Sequence, residues 1–201
     1  MAKAKVAVLV SGGGTNLQAI IDAEKKGIIK SGTVSLVISN NSKAYALERA
    51  AKAGIDSAVI TKKECGSREA FEDKLIETID AAGIDLIVLA GFMSILSEKF
   101  TSHYEKKIIN VHPSLIPSFC GQGFYGLKVH EAALEKGVKV TGATVHYVNE
   151  IPDGGEIIMQ KAVYIRPDDT AETLQKRVMR LAEWQILPKA IEEICGKIIA
   201  K

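Results

Sequence analysis

Three short stretches of the chain set polar side chains where they could act on a ligand. The first, Ser11-Gly12-Gly13-Gly14-Thr15-Asn16, lies where an apolar run gives way to a helical pattern. Glycines let the backbone approach a ligand closely, and a helix start offers unpaired N–H groups and a positive dipole end to an anion. Leu17 stands where a G-x-G-x-x-G fingerprint would have its third glycine, and no G-K-[ST] follows. A phosphomonoester therefore suits the loop better than a dinucleotide or a triphosphate. A tight turn needed only for packing is the alternative. The second stretch, Asn110-Val111-His112-Pro113-Ser114-Leu115, separates an amide from an imidazole by one residue. If extended backbone continues, both side chains face one way and can donate to one oxygen. The third, Asp153-Gly154-Gly155, supplies a carboxylate that either serves His112 or simply forms a turn. His146 is either a supporting polar residue or a satisfied core histidine.

Alternating strand-like and helix-like segments supply the scaffold. Residues 5–10 (KVAVLV) and 86–90 (DLIVLA without its aspartate) are continuous apolar runs, as strands buried on both faces require. Further strands are predicted at 34–39, at 57–60 and at a short run ending with Ile108 and Ile109. Helices are predicted through Leu17, Ile20 and Ile21 up to Gly27, over 43–53, and from an N-cap at Ser67 through Phe71, Leu75, Ile76 and Ile79 to Gly83. This order implies right-handed βαβ crossovers. Residues 110–128 then read as a Pro- and Gly-rich stretch without a period, followed by a helix near 129–136. Two β-rich segments, 140–148 and 156–165, flank the turn at Pro152 and pair antiparallel. Asp169 and Glu172 resemble a capping box for a last helix, which Pro188 should kink or restart. The expected fold is α/β: a Rossmann-like, mostly parallel sheet flanked by helices, with an antiparallel C-terminal strand pair and a final long helix.

Bulk composition narrows the classes. A chain of 201 residues, 47% hydrophobic and 25% charged, with net charge +2, suits one soluble globular domain. Its charge gives no reason to expect nucleic acid or a membrane surface as partner. Cys65, Cys120 and Cys195 form no CxxC pair, and no cluster of metal ligands is visible. The apolar start is too brief to span a bilayer and lacks a signal-peptide cleavage pattern, so a cytoplasmic location is expected.

S-G-G-G-T-N after the first strand, L-A-G-F-M-S-I-L at 89–96, N-V-H-P-S-L at 110–115 and D-G-G at 153–155 resemble the phosphoribosylglycinamide formyltransferase family, in order and spacing, from about residue 5 to Pro188. The resemblance implies a folate-dependent enzyme that formylates the amine of glycinamide ribonucleotide in purine (IMP) synthesis, with 10-formyltetrahydrofolate as donor and no metal. It implies catalytic roles for Asn110, His112 and Asp153: the first two as oxyanion donors, the third favouring a protonated His112 by raising its pKa and helping to move a proton through water. Gly14, Thr15 and Asn16 match the loop that holds the ribonucleotide phosphate. Arg180 and Glu183, three apart on one helix face, match contacts to the phosphate side and to the ribose or glycinamide side. Residues 93–96 (Met93, Ser94, Ile95, Leu96) and Asn110 match folate contacts, with the pterin ring gripped by backbone, and Arg68 matches a basic residue near the folate tail. One domain over 1–201 is expected, with 1–109 as the nucleotide-binding half and 110–201 as the folate-binding and catalytic half, acting as monomer or homodimer.

The chain departs from that pattern in places. Residues 119–126 (FCGQGFYG) are longer than the usual Pro-Gly link, Lys128 stands where a histidine often occurs, and Trp184 follows Glu183 where histidine is usual. Rival readings are a methionyl-tRNA formyltransferase or a formyltetrahydrofolate hydrolase, for whose extra domains the length leaves no room. A dinucleotide-dependent oxidoreductase lacks its acidic ribose ligand at Ile38-Ser39-Asn40-Asn41. A non-catalytic nucleotide-binding module would not need Asn110, His112 and Asp153.

Overall fold

The computed structural model describes residues 2–200. Seven strands form one sheet: β1 (Ala4–Val10), β2 (Gly32–Ser39), β3 (Asp56–Val59), β4 (Leu86–Leu89), β5 (Ile108–His112), β6 (Val140–Tyr147) and β7 (Ile157–Tyr164). They lie in the order β3-β2-β1-β4-β5-β6-β7. The first five run parallel, while β6 is antiparallel to β5 and β7 to β6. The expected mostly parallel sheet with an antiparallel C-terminal pair is thus what forms.

The period-two pattern of β1 explains how the sheet is sandwiched. Val6, Val8 and Val10 face one core, which also takes in Leu17, Ile20, Leu174, Val178, Leu187 and Ile191. Ala7 and Leu9 face the other, with Phe71, Leu75, Ile79 and Phe100. Helices α1 (Thr15–Lys25), α7 (Ala171–Val178) and α8 (Trp184–Ile199) therefore cover one side, and α4 (Arg68–Ala81) and α5 (Glu98–His103) the other. The remaining helices are α2 (Tyr45–Ala53), α3 (Lys62–Cys65) and α6 (Leu127–Lys136). Ser67 caps α4 as expected, its hydroxyl accepting from Ala70 N. The short helices α3 and α5 were not legible, being too brief to show a hydrophobic period.

Three expectations need correction. Asn110 and His112 lie inside β5, which runs three residues past Ile109, because Asn110 and Val111 continue the pairing with His146 and Val145. Thr170, not Asp169, caps α7: its side chain accepts from Thr173 N while Thr173 Oγ1 accepts from Thr170 N. Asp169 is occupied otherwise, holding Arg177 in a bidentate ion pair and accepting from Arg166 N. The last helix is interrupted upstream of Pro188, by a π-helical turn at Met179–Glu183, and α8 runs through the proline. Proline cannot donate to the carbonyl four residues back and its ring crowds that carbonyl, so the irregularity sits just before Trp184.

Candidate active site

All three chemistry-bearing stretches meet at the carboxyl ends of the parallel strands. The order 3-2-1-4-5 reverses direction between β1 and β4, and open α/β sheets bind ligands in the crevice at that switch point. Ser11, at the end of β1, ties the two lips together. Its N–H donates to Gly91 O at 3.2 Å and its hydroxyl accepts from Met93 N at 2.8 Å. Asn40 adds a bond from Nδ2 to Ser94 Oγ at 2.9 Å.

β5 sets Asn110 and His112 on one face, and the Asp153 turn closes over them. His112 Nδ1 lies 3.4 Å from Asp153 Oδ2, and His146 Nε2 lies 3.5 Å from Asp153 Oδ1. Asp153 has φ 56, a left-handed conformation that aspartate tolerates better than most residues. Gly155 follows where a Cβ would overlap the Tyr147 carbonyl. His146 Nδ1 faces the Tyr147 carbonyl at 2.7 Å and Nε2 faces Asn110 Nδ2 at 3.2 Å. The Tyr147 carbonyl requires a proton on Nδ1, and Nε2 sits between the Asn110 amide and the Asp153 carboxylate. His146 is therefore a supporting residue for Asn110.

The loop that departs from the family pattern lies across this set. His112 Nε2 donates to Phe119 O at 2.9 Å, and Gly121 N donates to Asp153 Oδ2 at 2.9 Å. Burial pushes the His112 pKa below its ordinary value; Asp153 and the Phe119 carbonyl push it up, but less. Asp153 acts on His112 in the expected direction, raising its pKa, but burial outweighs it. Burial also acts to raise Asp153, yet His146, His112 and the Gly121 amide together outweigh it and hold the carboxyl below its ordinary value. Cys120 donates to Pro117 O, and burial, with Asp153 nearby, raises its thiol pKa, so it is no activated nucleophile. Lys128 lies 4.6 Å over the Tyr125 ring, at the start of α6.

Two adjoining cavities open on Asn110 and Asp153. One, of about 130 Å³, is lined by Leu89, Leu96, His146 and Val148 among others. The other, of about 560 Å³, runs from Met93 and Ser94 past His112 to Tyr125. Ser94, Ile95 and Asn110 border both. Met93 and Ile95 are exposed, whereas Leu96 is buried in the core beneath. The 93–96 segment is pinned by a residue that sequence did not single out. Buried Glu72 accepts from Ser97 N, from Ser97 Oγ and from Arg68 Nε. Arg68 in turn donates from Nη2 to Ile95 O at 3.2 Å, placing it at the rim.

On the other side of Ser11, Gly14 precedes α1 with φ 69, where a Cβ would stand 2.6 Å from Ala46 Cβ. Asn16 Nδ2 donates to Glu183 Oε2 at 2.8 Å. Glu183 is fully buried, and desolvation, partly offset by Asn16, raises its pKa to about 7. Arg180 does not join it. The π turn leaves Arg180 exposed, lining a cavity with Arg166, Lys176 and Arg177, while Glu183 points inward. The expectation that the two share one helix face therefore fails. His130 on α6, also not legible as special, is wholly buried with neither ring nitrogen bonded; burial, reinforced by His112, depresses its pKa to about 4. Among the described residues no group of three or more His, Cys, Asp or Glu is arranged to hold a metal ion. No helix among them is long and apolar enough to cross a membrane.

Comparison with known proteins agrees with this geometry. The formyl transferase family matches residues 4–191. A phosphoribosylglycinamide formyltransferase of Haemophilus influenzae is 44% identical over 188 residues, covering 94% of this chain and 85% of that protein. The trifunctional purine biosynthetic protein adenosine-3 of Bos taurus is 45% identical over 194 residues, but this chain spans only 18% of its length. The crystal structure of glycinamide ribonucleotide transformylase 1 from Symbiobacterium toebii superimposes with a TM-score of 0.90 at 42% identity, over 97% of this chain and 89% of that one. The chain belongs to the formyl transferase family.

Proposed function

We propose that the protein transfers the formyl group of 10-formyltetrahydrofolate to the amine of glycinamide ribonucleotide, in purine synthesis, giving N-formylglycinamide ribonucleotide and tetrahydrofolate. One observation carries the reading: Asn110, His112 and Asp153 converge on one crevice beside the 93–96 segment, which Met93 ties to Ser11 at the start of the glycine loop. A relative named phosphoribosylglycinamide formyltransferase, similar over most of both lengths, favours glycinamide ribonucleotide as the acceptor.

The ribonucleotide phosphate takes the amides of Gly14, Thr15 and Asn16, where a helix N-terminus favours an anion. Asn16 and Glu183 face its ribose or glycinamide portion. The pterin lies along Met93, Ser94, Ile95 and Leu96 and fills the smaller cavity, with Arg68 at the rim toward the folate tail. The neutral amine attacks the formyl carbon, a C–N bond forms, and the carbonyl oxygen becomes an oxyanion. Asn110 and His112 stabilise that charge as it develops. The new negative charge joins Asp153 in favouring a protonated His112 and so offsets the desolvation that keeps the ring neutral beforehand. Phe119 O must release Nε2 for this to happen, so residues 118–127 shift as the folate binds. Asp153 conveys a proton from the attacking nitrogen to the folate nitrogen as that C–N bond breaks. Both substrates are small molecules, no metal takes part, and we place the reaction in the cytoplasm, in a monomer or homodimer of one domain.

The test follows the carbon. With 10-formyltetrahydrofolate labelled in the formyl group, the label should appear on the glycinamide nitrogen of the ribonucleotide by mass spectrometry. Label released only as formate would refute transfer and indicate hydrolysis.

A further inference from the structure

We infer that Arg49 is the residue that orients the phosphate-binding loop; the inference rests on the ribonucleotide reading above. Arg49 lies on α2, outside every motif that carries the resemblance to the family. Its Nε donates to Gly13 O at 2.8 Å and its Nη1 to Gln18 Oε1 at 3.0 Å, on α1. The guanidinium stacks 5.0 Å over the Tyr45 ring, which restrains it from a third side. One residue back in the loop, Gly12 O accepts from Ala46 N at 3.1 Å, so two consecutive loop carbonyls are turned toward α2.

A trans peptide puts the N–H opposite the C=O of the same unit. Holding the Gly12 and Gly13 carbonyls against α2 therefore turns the N–H groups of Gly13 and Gly14 away from it, toward the open side. Together with Thr15 and Asn16, none of these amides donates to a backbone carbonyl among the described residues. Arg49 thus fixes where a row of donors points. It also lines a cavity of about 250 Å³ with Thr15, Gln18 and Asp22. Arg180, the cation that the resemblance offers for this phosphate, lines a different cavity, which shares Trp184 with this one.

Steady-state kinetics of Arg49→Met, with the ribonucleotide and with the riboside that lacks the phosphate, tests this role. KM for the ribonucleotide should rise about tenfold or more, the scale of a lost charge-assisted hydrogen bond, with kcat and the folate KM unchanged. KM for the riboside should be the same in both proteins. A structural defect alone would move both acceptors alike. An unchanged ribonucleotide KM, or an equal rise for the riboside, overturns the inference. If Arg49→Met fails to fold, Arg49→Lys decides: an ammonium cannot make the forked contact to Gly13 and Gln18, so its KM should stay above the native value, and a native KM refutes the role. Wild-type protein without turnover would refute the formyl-transfer reading instead. Calorimetry with inorganic phosphate would then still judge Arg49, by whether Arg49→Met or Arg49→Lys weakens binding.

Discussion

His112 and Asp153 show how environment decides what a residue type can do. The two lie 3.4 Å apart, yet the burial that surrounds His112 prevails over the carboxylate and lowers the ring's pKa. Removing His112 as an oxyanion donor should lower kcat by ~10²–10³-fold; His112→Ala, assayed with both substrates at saturation, checks this. Asp153→Asn should lose turnover while ribonucleotide binding measured by calorimetry persists, and near-normal turnover would contradict its role. Glu183 gives a prediction about stability. Its folded pKa of about 7 lies above the ordinary 4.5, so the folded state holds a proton that the unfolded state has released between those values. Stability must therefore fall as pH rises through that window and level off above it. Urea unfolding at pH 5 and pH 8 should show Glu183→Gln losing less stability than the native protein on going to the higher pH. The sequence presented Asn110, His112 and Asp153 directly because their spacing is local. It offered a supporting role for His146 without its partner, and could not present Glu72 or Arg49 at all, because each role depends on a partner distant in the chain: Asn110, Ser97 and Gly13.

Elements position these residues through contacts at their ends. β5 delivers Asn110 and His112 on one face, β6 brings His146 opposite Asn110, and the β6–β7 turn returns Asp153 above them. Gly155 lets that turn pass against the Tyr147 carbonyl, so Gly155→Ala should displace Asp153 and reduce kcat strongly. Its ribonucleotide KM should stay near native, because the glycine loop is elsewhere. On the folate side, Glu72→Ala strips three donors of their shared acceptor and frees the 93–96 segment. It should raise the folate KM rather than the ribonucleotide KM, and lower stability by about 1–3 kcal/mol as buried donors lose their partner, measured by urea unfolding. Strands and long helices were legible from period and caps. The π turn at Met179–Glu183 was not, since the same residues fit an ordinary helical period and only Pro188 hinted at disturbance. That single irregularity explains why Arg180 and Glu183 part company.

Over the whole molecule, the βαβ grammar predicted a parallel sheet with helices on both faces, and the antiparallel pair followed from the Pro-Gly turn between two β-rich runs. The strand order was not written in any local pattern; it depends on which apolar faces pack together, seen in the separate cores on either side of β1. Phe100, wholly buried in the core beneath the 93–96 segment, should cost about 3–5 kcal/mol when replaced by alanine, read from urea denaturation. The order 3-2-1-4-5 creates the crevice to which we assign both proposed substrates, with the glycine loop after β1 and Asn110 and His112 on β5. Whether that crevice joins two substrates in one reaction is measured by the absorbance change as 10-formyltetrahydrofolate becomes tetrahydrofolate, with and without glycinamide ribonucleotide. The account predicts turnover that requires the ribonucleotide and vanishes in His112→Ala. Equal turnover without the ribonucleotide, or none with it, would contradict it.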